Sequence, residues 1–379
     1  MALRDEHLQT LHVSSEHTVT ARRPRKRYFG AGEARRLFSA TLRTRDRNLR
    51  SLITDEAQLG RYGLPVWRTE SALAAALELE LKALRYFSTH SAKDRSSHYV
   101  TFAIPKRSGG ERLIMAPKTR LKRLQRQLNA LLVSKLPVSE YAHGFRSGHS
   151  VRTNAERHVG KAVILRLDIT DFFGTIHFGR VRGLLIALGY GYPVATVLAA
   201  LMTEAVRQPV VVGETVFFPP TGPRACPQGA PTSPGLSNAI VVKMDHRLAG
   251  LARRYGFSYT RYADDLTFSG NDMAAAHALR LLATRVVEEE GFAVNERKTQ
   301  VARRGTRQTV TGVGVNDVLG WPRRERRRLR AAIHQYFQTH AGANADPALL
   351  ARLDGKVAYV SMLNPGQARR LVLRRAAAP

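Results

Sequence analysis

The chain has 379 residues, 44% hydrophobic and 24% charged, which is globular material with room for two or three lobes. Its 60 Lys and Arg face 30 Asp and Glu, and a surface at +30 repels itself unless a polyanion neutralises it. Nucleic acid is therefore the first partner to consider and an acidic membrane surface the second.

One cysteine, Cys226, excludes an internal disulfide and a cysteine-built metal site. The N-terminus has no apolar core of signal-peptide length. No run approaches the ~20 apolar residues of a membrane span. A soluble, cytoplasmic protein without a membrane partner is expected.

In chain order, residues 21–50 are densely basic, as a solvated tail or an arm that orders on RNA would be. From Thr69, "TESALAAALELELKALRYF" predicts one helix. Residues 98–118 predict two strands joined at Ser108-Gly109-Gly110. Residues 119–136 predict an amphipathic helix with a basic face. "KAVILRLDITDFF" (161–173) opens as a buried strand behind Gly160. Residues 237–256 predict a helix stopped by Gly256, and 274–292 another. The chain beyond about residue 318 reads as basic helix. The alternation with a short sheet indicates an α+β fold.

"YTRYADDLTFSG" (259–270) reads as a hairpin with two aspartates at its tip. Strand interiors are poor in Asp, and adjacent like charges repel. A hard divalent cation with carboxylate and phosphate ligands would explain Asp264 and Asp265, and turn chemistry alone is the plainer explanation. Asp168, closing "VILRLD", would add a third carboxylate, unless it caps a helix before Thr170. Two metal ions held there, about 3.5–4 Å apart, activate a hydroxyl and stabilise a leaving pyrophosphate.

Five stretches now fall in one order. Tyr262-Ala263-Asp264-Asp265 resembles the YxDD box of reverse transcriptases, and "LDITDFF" resembles their first-aspartate motif. "CPQGAPTSPGLSN" (226–238) resembles the PQG box, "GFAVNERKTQ" (291–300) the motif after the hairpin, and "IPKRSGGERLIMAP" (104–117) the fingers motif. Together they span 100–315. "AHGFRSGHS" (142–150) resembles a block shared by retron and group II intron enzymes. Asn154-Ala155-Glu156-Arg157-His158 fits the retron signature NAxxH, and Val310-Thr311-Gly312 fits VTG. Either could be simple structure, an i,i+4 helix pair or a strand.

The resemblance implies a right-hand polymerase fold. Residues 1–60 would be a basic N-terminal extension, longer than many retron enzymes carry. Residues 61–160, with part of 178–225, would be fingers, 161–315 palm with a small antiparallel sheet, and 316–379 a helical thumb with no room for appended ribonuclease H, maturase or nuclease domains. It implies that Asp168, Asp264 and Asp265 hold two magnesium ions, manganese being an alternative. Lys298 resembles the lysine that protonates pyrophosphate; a solvated charge is its plainer role. Lys106 or Arg107, with Arg112, would grip the dNTP triphosphate, and Gln228 and Gly229 would line the nucleotide pocket. Phe173 takes the sugar-gate position, unless it is a core residue like Phe172. Asn154, His158, Val310, Thr311 and Gly312 would recognise RNA.

By resemblance, the function is RNA-directed DNA synthesis on a cognate structured noncoding RNA. Synthesis would be primed from an internal guanosine 2′-OH, give multicopy single-stranded DNA, and serve antiphage defence with an effector protein. The alternatives are a group II-like or other defence reverse transcriptase priming from a 3′-OH, a catalytically idle RNA-binding scaffold, and, most distantly, a basic membrane-surface protein.

Overall fold

A four-stranded antiparallel sheet organises the chain. The computed structural model describes residues 52–89, 96–106, 109–339 and 346–376, with side chains as far as Leu371. Most of the expected N-terminal extension lies outside the described residues.

Helix α1 (Glu56–Arg61) is capped by Asp55, whose carboxylate accepts from the Gln58 amide. The helix expected from Thr69 is two helices, α2 (Glu70–Ala76) and α3 (Leu81–Ser88). Glu78 breaks it at φ 54. Leu73, Leu77, Leu84 and Phe87 reach one core from both sides of the break, and Leu79 N turns back to the Ala74 carbonyl at 2.9 Å.

Strands β1 (Tyr99–Pro105) and β2 (Glu111–Pro117) form the expected hairpin. Helix α4 (Thr119–Leu131) buries Leu121, Leu124 and Leu128. Then come α5 (Val151–Glu156), β3 (Val163–Asp168), the short α6 (Phe172–Thr175), α7 (Phe178–Ala187) and α8 (Tyr192–Met202). A small hairpin, β4 (Val210–Val212) with β5 (Thr215–Phe217), follows. The helix expected over 237–256 is α9 (Ser233–Ile240) and α10 (Val242–Arg254), meeting at Val241, with Gly256 beyond at φ 71.

Strands β6 (Ser258–Tyr262), β7 (Asp265–Gly270) and β8 (Gln300–Arg303) complete the sheet in the order β6-β7-β3-β8. Helix α11 (Met273–Glu289) joins β7 to the chain leading to β8. Alternation divides the sheet into two faces. Leu165, Leu167, Leu266, Phe268 and Tyr259 enter the main core with Leu248 of α10 and Leu279 of α11. The other face carries Ile164, Arg166, Asp168, Thr260, Asp265, Thr267 and Ser269.

The last described helices are α12 (Arg323–Thr339), α13 (Pro347–Leu363) and α14 (Pro365–Ala376). They close a separate core around Leu329, Ile333, Tyr336, Leu353, Val360 and Leu371. Among the described residues no helix is long and apolar enough to cross a membrane.

The polar sheet face is half covered, and both short signatures do the covering. Val310 and Val313 pair across strands β9 (Thr309–Val310) and β10 (Val313–Gly314), with Thr311 at φ 46 and Gly312 at φ 79 in the turn. Ala155 of α5 packs with Ile164, Val310, Val313, Val315 and Leu363 in one buried cluster. Asn154 Nδ2 donates to Thr311 Oγ1 at 3.5 Å, and Arg152 Nη1 donates to the Met362 carbonyl at 2.8 Å. His158 lies 2.7 Å from both Ser269 Oγ and Thr260 Oγ1. Asn154, His158 and Val310 are fully buried. This corrects the expectation that they touch RNA: they are enclosed where the sheet meets the β9–β10 hairpin and the C-terminal helices, with Asn154 Oδ1 left without a hydrogen-bond partner.

Burial, reinforced by His143, Lys161 and Arg157, lowers the His158 pKa to about 3. In an unfolded chain imidazole titrates near 6.5. Below that, the unfolded chain takes up a proton that the folded chain refuses. Stability from this site is complete above about pH 6.5 and falls as pH drops towards 3, by up to about 1.4 kcal/mol per pH unit. His143, lowered to about 4 chiefly by burial, adds to the same window. Urea denaturation from pH 7 to 4 should show His158→Gln losing less stability on acidification than wild type. Equal slopes would contradict the buried neutral imidazole.

Candidate active site

Strand register assembles the acidic edge. Asp168 at the end of β3 pairs with Asp265 at the start of β7, and Tyr262 pairs with Asp265 from the far side. The turn Ala263–Asp264 joins the strands, with Ala263 at φ 56, the conformation a two-residue hairpin needs. Gly144 lets the turn sit close: a Cβ there would lie 2.6 Å from the Ala263 nitrogen. The segment after α11 clamps the strand ends. Asn295 N donates to the Asp168 carbonyl at 2.7 Å and Thr170 N to the Ala293 carbonyl at 2.8 Å, while Ile169 N ties the end of β3 to the Asp264 carbonyl at 3.0 Å. Asp168 therefore closes a strand and caps no helix.

Two cations grip this edge. Lys298 Nζ donates to both Asp168 carboxylate oxygens, at 2.9 and 3.1 Å. Arg166 Nη2 donates to both Asp265 oxygens at 3.0 Å. Arg166 stands two residues before Asp168, so alternation puts both on one face. That spacing was visible in the sequence, but Arg166 was not singled out. Burial raises the Asp264 pKa, Asp168 and Asp265 push it further, and Lys298 opposes them.

Beneath the turn lies a second feature missed in the sequence. Arg261 is fully buried. Its Nε donates to Asp245 Oδ1 at 2.8 Å and its Nη2 to Oδ2 at 2.9 Å. Its Nη1 donates to Asn238 Oδ1 at 3.0 Å and to the Ala263 carbonyl at 3.1 Å. Asn238 Nδ2 in turn donates to the Gly144 carbonyl at 3.0 Å. An arginine among the aromatic and β-branched residues of "YTRYADD" was the available signal.

Among the described residues no three carboxylate, imidazole or thiolate groups converge as a finished cation cage. The donor set nevertheless suits a hard divalent cation, since Asp168, Asp264 and Asp265 offer carboxylate oxygens and a nucleotide would add phosphate oxygens. The half-buried Asp264 carboxyl, destabilised further by its acidic neighbours, is where a cation would gain most.

The remaining candidates surround the edge unevenly. The Met115 amide donates to the Gln228 carbonyl at 2.8 Å, tying the PQG segment to β2. Gly229 sits at φ 123, where a Cβ would meet the Met115 carbonyl at 3.0 Å, so no side chain fits. Lys106 and Arg112 are exposed on the β1–β2 hairpin, and Arg107 lies outside the described residues. Phe172 is buried and packs on Phe292 at 5.7 Å, as a core residue does. Phe173 is half-buried, with Phe145 at 6.2 Å. Thr311 is half-buried and Gly312 exposed. Burial pushes the Cys226 thiol up to about 12, which leaves it unreactive.

Residues 104–317, more than half of the chain, match the family described as Reverse transcriptase (RNA-dependent DNA polymerase). The Retron Mx65 reverse transcriptase of Myxococcus xanthus is 62% identical over 93% of this chain and 81% of its own. The Retron Mx162 reverse transcriptase of the same organism is 43% identical over 81% and 66%. The Retron Ec86 reverse transcriptase of Escherichia coli is 28% identical over 83% and 91%. Among solved structures, a telomerase from Candida albicans aligns at 12% identity and a TM-score of 0.43 over 80% of this chain and 60% of that one. A foamy viral protease-reverse transcriptase aligns at 13% and 0.39 over 69% and 36%. The chain thus spans less than two thirds of either solved protein. The in-register aspartates, the family match over the palm motifs and the extent of identity to retron enzymes lead to one conclusion: the chain belongs to the reverse transcriptases, RNA-directed DNA polymerases, and among them to the retron enzymes.

Proposed function

We propose that this reverse transcriptase copies a cognate structured noncoding RNA, starting from the 2′-OH of an internal guanosine and producing multicopy single-stranded DNA. The observation that carries the reading is the pairing of Asp168 with Asp265 beside the Asp264 turn, in a chain 62% identical to a retron enzyme. Two magnesium ions, or manganese, held by Asp168, Asp264 and Asp265, would lower the pKa of the attacking hydroxyl and neutralise charge on the phosphates. In each step the hydroxyl oxygen bonds the α-phosphorus, the bond to the pyrophosphate oxygen breaks, and the hydroxyl proton leaves to solvent. Lys298, already at this edge, donates a proton to the departing pyrophosphate.

Arg166 fixes the orientation of Asp265. Gln228 and Gly229 shape the nucleotide pocket, and Lys106, Arg107 and Arg112 hold the triphosphate by charge. Phe173 lies against a ribose 2′-OH and so favours dNTPs. In this reading β1–β2 belongs to the fingers, the four-stranded sheet to the palm, and α12–α14 to the thumb tracking the RNA–DNA duplex. In the same reading the enzyme serves antiphage defence, with an effector protein and in the cytoplasm.

The test uses the RNA that accompanies the protein purified from its host. Wild type given dNTPs, magnesium and no primer should make DNA whose length changes on treatment with a 2′–5′ debranching enzyme. Asp264→Asn should reduce that synthesis by about a thousandfold or more, since several kcal/mol of charge stabilisation are lost at ~1.4 kcal/mol per tenfold. A linear product would refute the priming claim, and near-wild-type synthesis by the variant would refute the metal-site assignment. Separately, Phe173→Ala should incorporate rNTPs while still using dNTPs. An active Phe173→Ala enzyme that still excludes rNTPs would return Phe173 to the core.

A further inference from the structure

The sheet has a second concave site, at the end of β6 away from the aspartates. A cavity of about 270 Å³ opens there, lined by Glu140, Tyr141, Arg157 and Arg253 above Tyr259 and Thr260. Residues 141–143 form its wall by running along the β6 edge: Arg261 N donates to the Tyr141 carbonyl and His143 N to the Arg261 carbonyl, both at 2.8 Å. Its lining runs from Ser258, at the start of β6, to Thr260 and to His143, which adjoins the Gly144 that packs under the turn.

Its chemistry suits one unpaired base. An opening of about 270 Å³ admits a single nucleobase. Tyr141 is half-buried, with its ring 5.9 Å from that of Tyr259, and offers an aromatic surface. Arg157 and Arg253 are exposed and have no acidic partner among the described residues, so both are available to phosphate. Burial raises the Tyr141 pKa, Glu140 raises it further and Arg253 opposes, which places all three groups within electrostatic reach. Glu140 supplies the selectivity. A carboxylate accepts two hydrogen bonds side by side, and only guanine presents two adjacent donors, N1–H and N2–H, on its pairing edge.

The position also gives the NAERH segment a contact with RNA. Asn154 and His158 are buried and fix the segment to the sheet, and Arg157 between them is turned outward onto the cavity. We propose that this cavity seats one unpaired guanosine of the bound RNA, with Glu140 on its pairing edge, Tyr141 against its ring and Arg157 and Arg253 on the flanking phosphates. Recognition of unstacked bases by aromatic and polar side chains is the usual route to sequence-specific RNA binding. The inference rests on the reading above only in taking RNA as the partner.

The test saturates the catalytic cleft with an RNA–DNA primer–template duplex. It then titrates fluorescent decamers at near-physiological salt, one of uridines with a single central guanosine and one of uridines alone. Wild type should bind the guanosine decamer about tenfold more tightly, the discrimination expected of a bidentate contact. Glu140→Gln should abolish the preference, and Arg157→Ala should weaken both decamers alike. Both residues are exposed, and unchanged thermal unfolding would show that each variant is folded. Equal binding of the two decamers by wild type would overturn the proposal, as would a preference surviving Glu140→Gln. Guanosine monophosphate competing as well as the decamer would also overturn it, because the site would then take a free nucleotide. A linear product in the priming assay would sink the priming claim and leave this preference untouched.

Discussion

The acidic edge is held from the inside by one buried ion pair. Arg261 and Asp245 are both fully buried beneath the turn that carries Asp264. Such a pair is tolerated only when its remaining hydrogen-bonding groups are met, because desolvation otherwise outweighs the attraction. Here they are met by residues that matter elsewhere. Tyr259 donates to Asp245 at 2.8 Å, and Arg261 reaches Asn238 of the PQG segment and the Ala263 carbonyl of the turn. Asn238 then holds the Gly144 carbonyl, and Gly144 is the residue whose missing side chain lets the turn sit where it does. Three motifs far apart in the sequence are fixed by one guanidinium.

The polar face of the sheet follows from that arrangement. Its half distant from the turn is covered by α5 and the β9–β10 hairpin, with His158 satisfying Ser269 and Thr260. Its other half remains open, and there Arg166, Lys298 and three aspartates share a small area. A chain at +30 attracts nucleic acid without selectivity. Selectivity must come from the places where that charge is shaped, which are the acidic edge and the cavity beside β6.

The chemistry-bearing strands were legible because their signals are local. An apolar run ending in Asp168 and an aromatic hairpin bearing Asp264 and Asp265 fold as those patterns suggest. Other features depended on depth or on distant partners. The helix from Thr69 breaks at Glu78, which adopts φ 54, although Leu73, Leu77, Leu84 and Phe87 have the spacing of one continuous helix face, so neither propensity nor periodicity marks the break. Asn154 and His158 looked like surface recognition residues because their spacing does not say which side of α5 meets the sheet. Arg166 and Arg261 passed as ordinary basic residues in a basic chain, since only the strand register shows what each one faces.

Hydrogen exchange at the turn tests the central claim most directly. Asp245→Asn leaves the Arg261 charge buried without its counter-ion, a loss on the order of 3–5 kcal/mol when one partner is removed outright. Mass spectrometry of peptides covering residues 257–270 should find faster exchange in the variant at Tyr262, Ala263 and Asp264, while the cluster around Leu329 and Leu353 keeps wild-type protection. Unchanged exchange across the turn would contradict the account, because the acidic edge would then be held by something other than the buried pair.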